Sequence, residues 1–517
     1  MIKRLLFATL VGLGLAVGPM PGHAADIKIG MATPPTFIDP HAAEIGPNVD
    51  VRMHMFDSLV RIGANEELRP SLAESWRLVE APLVWEFKLR AGVKFHDGAP
   101  LTAHDVAFSI ERAPNVPGAP STYSRHLRLV DAVTAVDDLT LRVRTKLPVP
   151  LLPANLAHIA VVDRRIGRDA PTSLFTTPAG ANGTGPYKFV EFLPGDRLVL
   201  TANPLYWGDK PRWDRVTLQT MRTPATRLAA LLAGDIDAIA EVPTVDVERL
   251  KRETKVVLSQ GISNRVIFWA MDVARETSPF VTAKNGSPIA NPLRDRRVRE
   301  AINLVVDRRA IVERRMEGIA VIATQLPLEG HNGFVAGLAP PPVDLARARA
   351  LMAEAGVGNG FKMTIHTTNG RYVNDTALAQ TVAQMLARLD IEVSVQPMLV
   401  ANYFTQARNR EFSFLLVGWG HSSTDPLLVM RETFASTAAN NYGGYVNQAV
   451  DRLFESAEIE LDRDKRHAML AEITRLTNAD IAIVPTHYQV NVWASRRGLK
   501  YISRRDEATL ADNFVPE

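Results

Sequence analysis

Two short polar stretches in the last third of the chain hold residue types that could grip a small charged molecule. The first is Thr368-Asn369-Gly370-Arg371. Its guanidinium can hold a carboxylate through two parallel hydrogen bonds, a geometry that lysine cannot reproduce. The second runs from Gly418 through Trp419, Gly420, His421, Ser422, Ser423 and Thr424 to Asp425. It offers an aromatic face, glycines that admit backbone contact, three hydroxyls and a carboxylate. Converging, the two stretches would hold a zwitterion by its ends. Asp425-Pro426 also has the form of a cap for the helix that follows, so a structural role stays open for that carboxylate. Tyr442 and, in a proline-stiffened loop near the start, Thr33 are further candidate contacts. His421 and His487 are possible nitrogen ligands but share no metal-binding spacing, so no metal and no cofactor are expected. The chain has no HExxH, no GxSxG and no cysteine, which leaves the common zinc, serine and cysteine hydrolase mechanisms without their spacing. A glycosidase-type carboxylate pair stays possible among the scattered acids.

Both polar stretches directly follow apolar segments with strand character. From Asp344 the order becomes regular: a helix ending at Gly356, a strand through Phe361–Thr368, a helix over Asp375–Leu389, a strand at Ile391–Gln396, a helix over Ala401–Asn409 and a strand at Phe412–Trp419. Strands alternating with helices predict a parallel sheet covered on both faces, and such sheets bind ligands at the carboxyl ends of their strands. Phe414–Trp419 is apolar without alternation, as a strand buried on both faces requires. Two helices are expected between Val450 and Ala479, then a strand within Ile481–Ala494 and a short tail from Gly498. Upstream, Asp295–Glu313 reads as one helix with a basic, solvated face, and Val266–Val273 as a strand.

The first half carries different devices. Trp85, Phe87 and Leu89 alternate with Glu86, Lys88 and Arg90, predicting a half-buried strand, followed by a turn at Asp97-Gly98 and a helix opened by Thr102 and Asp105. A hairpin is expected from Lys188 to Asn203 around Pro194-Gly195-Asp196. Thr223, Pro224 and Gly234 bracket a further helix.

With 517 residues, at least two lobes are needed. Residues 1–24 read as a secretory signal: Lys3 and Arg4, an apolar run from Leu5 to Val17, and small residues before a cleavage point after Ala24. Losing the leader takes the formal charge from +3 to +1, which gives no electrostatic case for nucleic acid or a membrane surface. Without cysteine there is neither a disulfide framework nor a lipid-anchoring thiol.

Several blocks resemble one family. Ala73-Glu74-Ser75-Trp76 with Trp85–Val106, Gly183-Thr184-Gly185-Pro186-Tyr187, Tyr206-Trp207-Gly208, the Thr223–Ile239 block and the Asp295 block are similar to those of family 5 extracellular solute-binding proteins, the dipeptide, oligopeptide and nickel receptors of ABC importers. The resemblance implies an α/β, two-lobed periplasmic-binding-protein fold of type II, in the large class with an extra inserted domain, its lobes joined by a two-strand hinge. On that reading lobe I comprises residues 25–50, 179–266 and 488–517, the inserted subdomain 51–178, and lobe II 267–487. It implies a monomeric periplasmic receptor that closes on a peptide, or else on a nickel chelate, haem, opine or oligosaccharide, and serves a permease with separate ATPase subunits. In the family's peptide receptors an aspartate occupies the fifth position counted from the glycine of the Gly-Trp pair. That position is Ser422 here.

Overall fold

The computed structural model describes residues 26–119, 123–420 and 423–517. The expected leader and two candidate contacts, His421 and Ser422, lie outside the described residues.

Two long antiparallel strands, Val256–Met271 and Ile483–Arg496, run down the middle of a twelve-stranded sheet. On one side they continue into Ala238–Ile239, Asp26–Met31, Arg215–Thr220 and the hairpin Tyr187–Leu193/Arg197–Ala202. On the other, Phe414–Trp419 pairs antiparallel with Val256–Met271 and parallel with Lys362–Thr368, which pairs parallel with Glu392–Met398. The register between the long strands slips between Ile262 and Val266, where the chain passes from one half to the other. The strand expected at Val266–Val273 therefore begins ten residues earlier. Its first half is only partly buried, so no apolar run announced it.

Beyond that slip, Ile267, Trp269 and Met271 face one apolar cluster with Val298, Ile302 and Leu378. Val266, Phe268 and Ala270 face another with Tyr403, Met430 and Phe454. A strand covered on both sides has no polar face to show, which is why the period-two pattern is absent there. The other half is built around Ile27, Ile29, Leu200, Val216 and Trp493. A four-stranded antiparallel sheet, Ala73–Glu80, Val84–Leu89, Thr140–Thr145 and Val130–Asp137 in spatial order, holds a separate core of residues between Leu59 and Val161.

The local devices form as their chemistry dictates. Asp105 accepts the Thr102 N–H at 2.9 Å, opening helix Ala103–Arg112. Gly234 adopts φ +85° and ends helix Pro224–Ala233, a conformation that costs glycine nothing sterically. Gly183 and Gly185 shape a close crossing, since a Cβ at Gly183 would stand 2.0 Å from the Met55 carbonyl oxygen. Two expectations are corrected. The Asp295 helix is interrupted: Arg296–Val305 ends at Val306, and Asp307 caps a new turn by accepting from Ala310 N. Its basic face is not all solvated. Arg299 and Arg308 are buried and donate to backbone carbonyls of Asp480, Ile481 and Pro485, holding the end of helix Arg463–Ala479 and the start of a long strand. The short tail from Gly498 carries a strand pair, Leu499–Tyr501 with Phe514–Pro516, and buries Tyr501 and Phe514.

Candidate functional site

Lys362–Thr368 and Phe414–Trp419 lie side by side, so the loops leaving their carboxyl ends start together. The first loop is a tight turn around Asp375. Its carboxylate accepts from Gly370 N, Arg371 N, Tyr372 N and the Thr368 hydroxyl, at 2.8 to 3.3 Å. That fixes the backbone and leaves the Arg371 side chain outside it. The Tyr372 hydroxyl then donates to the Gly418 carbonyl at 3.0 Å, tying the two loops together.

Arg371 is open to solvent, and among the described residues its guanidinium makes no hydrogen bond or ion pair. It lies 5.3 Å from the Tyr372 ring centroid, and Arg265, on the crossing strand, lies 5.9 Å from the same ring. Arg265 holds the Arg371 pKa below the usual arginine range. Glu507, delivered by the C-terminal segment of the other half, grips Arg265 with contacts of 2.7, 3.0 and 3.2 Å, and also takes the Ser263 hydroxyl and the Gln489 amide. Burial works against the Glu507 carboxylate's charge, but Arg265 and Ser263 outweigh it and hold its pKa below the carboxylate range.

Trp419 is half-buried beside Val266, where the long strands change halves. Gly420 fits because a Cβ there would come within 2.5 Å of Asn264 Oδ1. Asn369 is exposed, its N–H donating to the Met398 carbonyl, and Thr33 is exposed beyond the first strand. Tyr442 is buried in an apolar cluster of the second half with its hydroxyl on Asn440. Asp425 is likewise committed inward. It pairs with Arg466 at 2.7 Å, accepts from Asn332, and caps Leu427 N at 3.2 Å, which matches the structural alternative for that carboxylate. His487 is buried, and burial lowers its pKa to about 4.

The two halves meet on either side of these loops. Asn374 donates to Thr244 at 3.0 Å, the buried Glu66 and His331 lie 2.6 Å apart, and Arg128 pairs with Glu458. Arg265, Glu241 and Glu507 went unforeseen as site residues, because each is set by pairing between strands distant in the chain. A second polar group also went unnoticed: Glu44, His126 and His158 present ligand atoms all within 4.8 Å of one another. There the Arg125 guanidinium donates to both Glu44 and His126.

The model for bacterial extracellular solute-binding proteins, family 5 Middle, matches residues 67–441. A glutathione-binding protein of Pectobacterium atrosepticum is 27% identical over 481 residues, covering 90% of this chain and 89% of that protein. The heme-binding protein A of Haemophilus influenzae is 26% identical, covering 82% and 79%. A periplasmic binding protein of Helicobacter pylori solved with the peptide STSA superposes with a TM-score of 0.80 at 22% identity, over 96% of this chain and 99% of that one. With two halves bridged by a pair of strands and a solvent-open arginine between them, the chain belongs to the bacterial extracellular solute-binding proteins of family 5.

Proposed function

We propose that the protein is a free periplasmic receptor that takes up a peptide between its two lobes and passes it to an ABC permease whose ATPase subunits are separate chains. The observation that carries this reading is Arg371: its backbone is fixed by the turn around Asp375, and its guanidinium is open to solvent with no hydrogen bond or ion pair among the described residues. A guanidinium with its donors unspent can take a carboxylate through two parallel hydrogen bonds, and a peptide carboxylate fits that geometry. The glutathione-binding relative supports a peptide cargo. The heme-binding relative supports the alternative of a non-peptide cargo on the same frame.

In this reading residues 1–24 are removed after Ala24 and the protein acts as a monomer. Lobe I (residues 25–50, 179–266 and 488–517) and lobe II (267–487) close about the crossing at Ser263–Arg265, with 51–178 as the inserted subdomain. Arg371, Trp419, Gly420 and Asn369 line the gap. Among the described residues no helix is long and apolar enough to cross a membrane. Closure follows because the solute touches both lobes only in the closed form, and it can shift the balance only by that difference in affinity. Small-angle scattering with and without saturating trialanine is the test. A smaller radius of gyration on binding is expected, and an unchanged radius at saturation would overturn the hinged-receptor reading.

A further inference from the structure

Two guanidiniums and two carboxylates gather where the lobes meet, and only one pair of them is closed. Arg265 and Glu507 neutralise each other, and the remaining capacity of Glu507 goes to Ser263 and Gln489. That leaves Arg371 on lobe II and Glu241 on lobe I. Glu241 stands just past Ala238–Ile239, which pairs with the crossing strand Ile483–Arg496. Its neighbours Ala240 and Val242 are buried and tied to Gly30 and Val492, while the Arg227 guanidinium holds the Glu241 carbonyl at 2.9 Å. The backbone between them takes φ +57°, a left-handed conformation that costs an L-residue energy. The side chain is exposed, and its carboxylate has no hydrogen-bond or ion-pair partner among the described residues.

The loops bearing these two charges are joined across the lobes. Thr244, three residues after Glu241, accepts a hydrogen bond from Asn374, three residues after Arg371, at 3.0 Å. One further atom is unspent nearby. Gln489 donates its amide to both Asn491 and Glu507, which orients the group and leaves its buried Oε1 an acceptor without a partner. An acceptor and a carboxylate on one lobe, with a guanidinium on the other, make a dipole split across the gap.

We infer that Glu241 and Arg371 form a two-ended charge clamp that takes a dipolar solute, its cationic group on Glu241 and its carboxylate on Arg371. The solute then completes a chain of ion pairs from lobe to lobe, so both of its charges add to the contacts that favour the closed form. This rests on the receptor reading and deepens it. It assigns the role of cation acceptor to a glutamate of lobe I, in a chain whose Gly-Trp loop has Ser422 where the family's peptide receptors have aspartate.

The test combines calorimetry and native mass spectrometry on the mature protein, with the isosteric Glu241→Gln and the shorter, uncharged Arg371→Gln as variants whose melting temperatures are checked first. Trialanine, N-acetyl-trialanine and trialanine amide are the probes. Wild type is expected to lose at least tenfold in affinity when either end of the peptide is blocked. Glu241→Gln should erase only the penalty for N-acetylation, and Arg371→Gln only that for amidation. A Glu241→Gln protein that still discriminates against the acetylated probe as wild type does would overturn the clamp while leaving the peptide reading intact. Should wild type bind none of the three, the peptide reading fails, and the mass of the co-purified solute decides the clamp. A dipolar non-peptide supports it, and a solute carrying charge of only one sign overturns it.

Discussion

At the scale of single residues, the site is a matter of which charges are spent. Asp425 and Glu507 are carboxylates tied to arginines, whereas Arg371 is held by its backbone alone. Arg371→Ala should therefore weaken peptide binding by at least tenfold, about 1.4 kcal/mol, with little change in melting temperature, read by calorimetry and calorimetric unfolding. Unchanged affinity would remove the residue from the site. Buried histidines make a second prediction. Burial lowers the pKa values of His41, His96, His366 and His487 to about 4, below the value near 6.5 expected when unfolded. Between those values the unfolded chain binds protons that the native one refuses, so stability rises with pH across that window. Urea midpoints should accordingly fall as pH drops from about 6.5 to 4 and fall little between 8 and 7, measured by tryptophan fluorescence.

At the scale of elements, the loop after Phe414–Trp419 divides its labour. Asp425 anchors the start of helix Leu427–Phe434 and joins it to helix Arg463–Ala479 through Arg466, whereas Gly420 packs against Asn264 at the crossing. Removing one partner of a buried pair strands the other charge, at a cost of about 3–5 kcal/mol. Asp425→Ala should thus lower the melting temperature by several degrees while the folded protein keeps its peptide affinity. A loss of affinity without a loss of stability would instead make Asp425 a ligand contact.

Over the whole molecule, the described form is held shut from both flanks of the gap. The Glu66–His331 contact is fully enclosed and joins the inserted subdomain to lobe II, and Glu66 also accepts from Asn264 at the crossing. Such contacts form only when the lobes meet, so they add to the closed side of the equilibrium. His331→Leu is expected to shift that balance open, giving a larger radius of gyration at a fixed subsaturating peptide concentration and weaker affinity, with the same maximal compaction at saturation. A variant closing as readily as wild type would show that this contact exerts no leverage on the hinge.

What the sequence determined by itself was local. Capping pairs, turn glycines and apolar runs fix nearby dihedrals and faces, so Thr102–Asp105, Gly234 and the strand at Phe414–Trp419 were legible without any fold. The two loops bearing Arg371 and Trp419 were legible too, because a parallel sheet puts its loops at a known edge. Tertiary structure alone decided which charges were available. Glu241, Arg265 and Glu507 reach the gap through the pairing of strands far apart in the chain. Whether a carboxylate is free or neutralised depends on a partner's distance in space, on which spacing along the chain is silent.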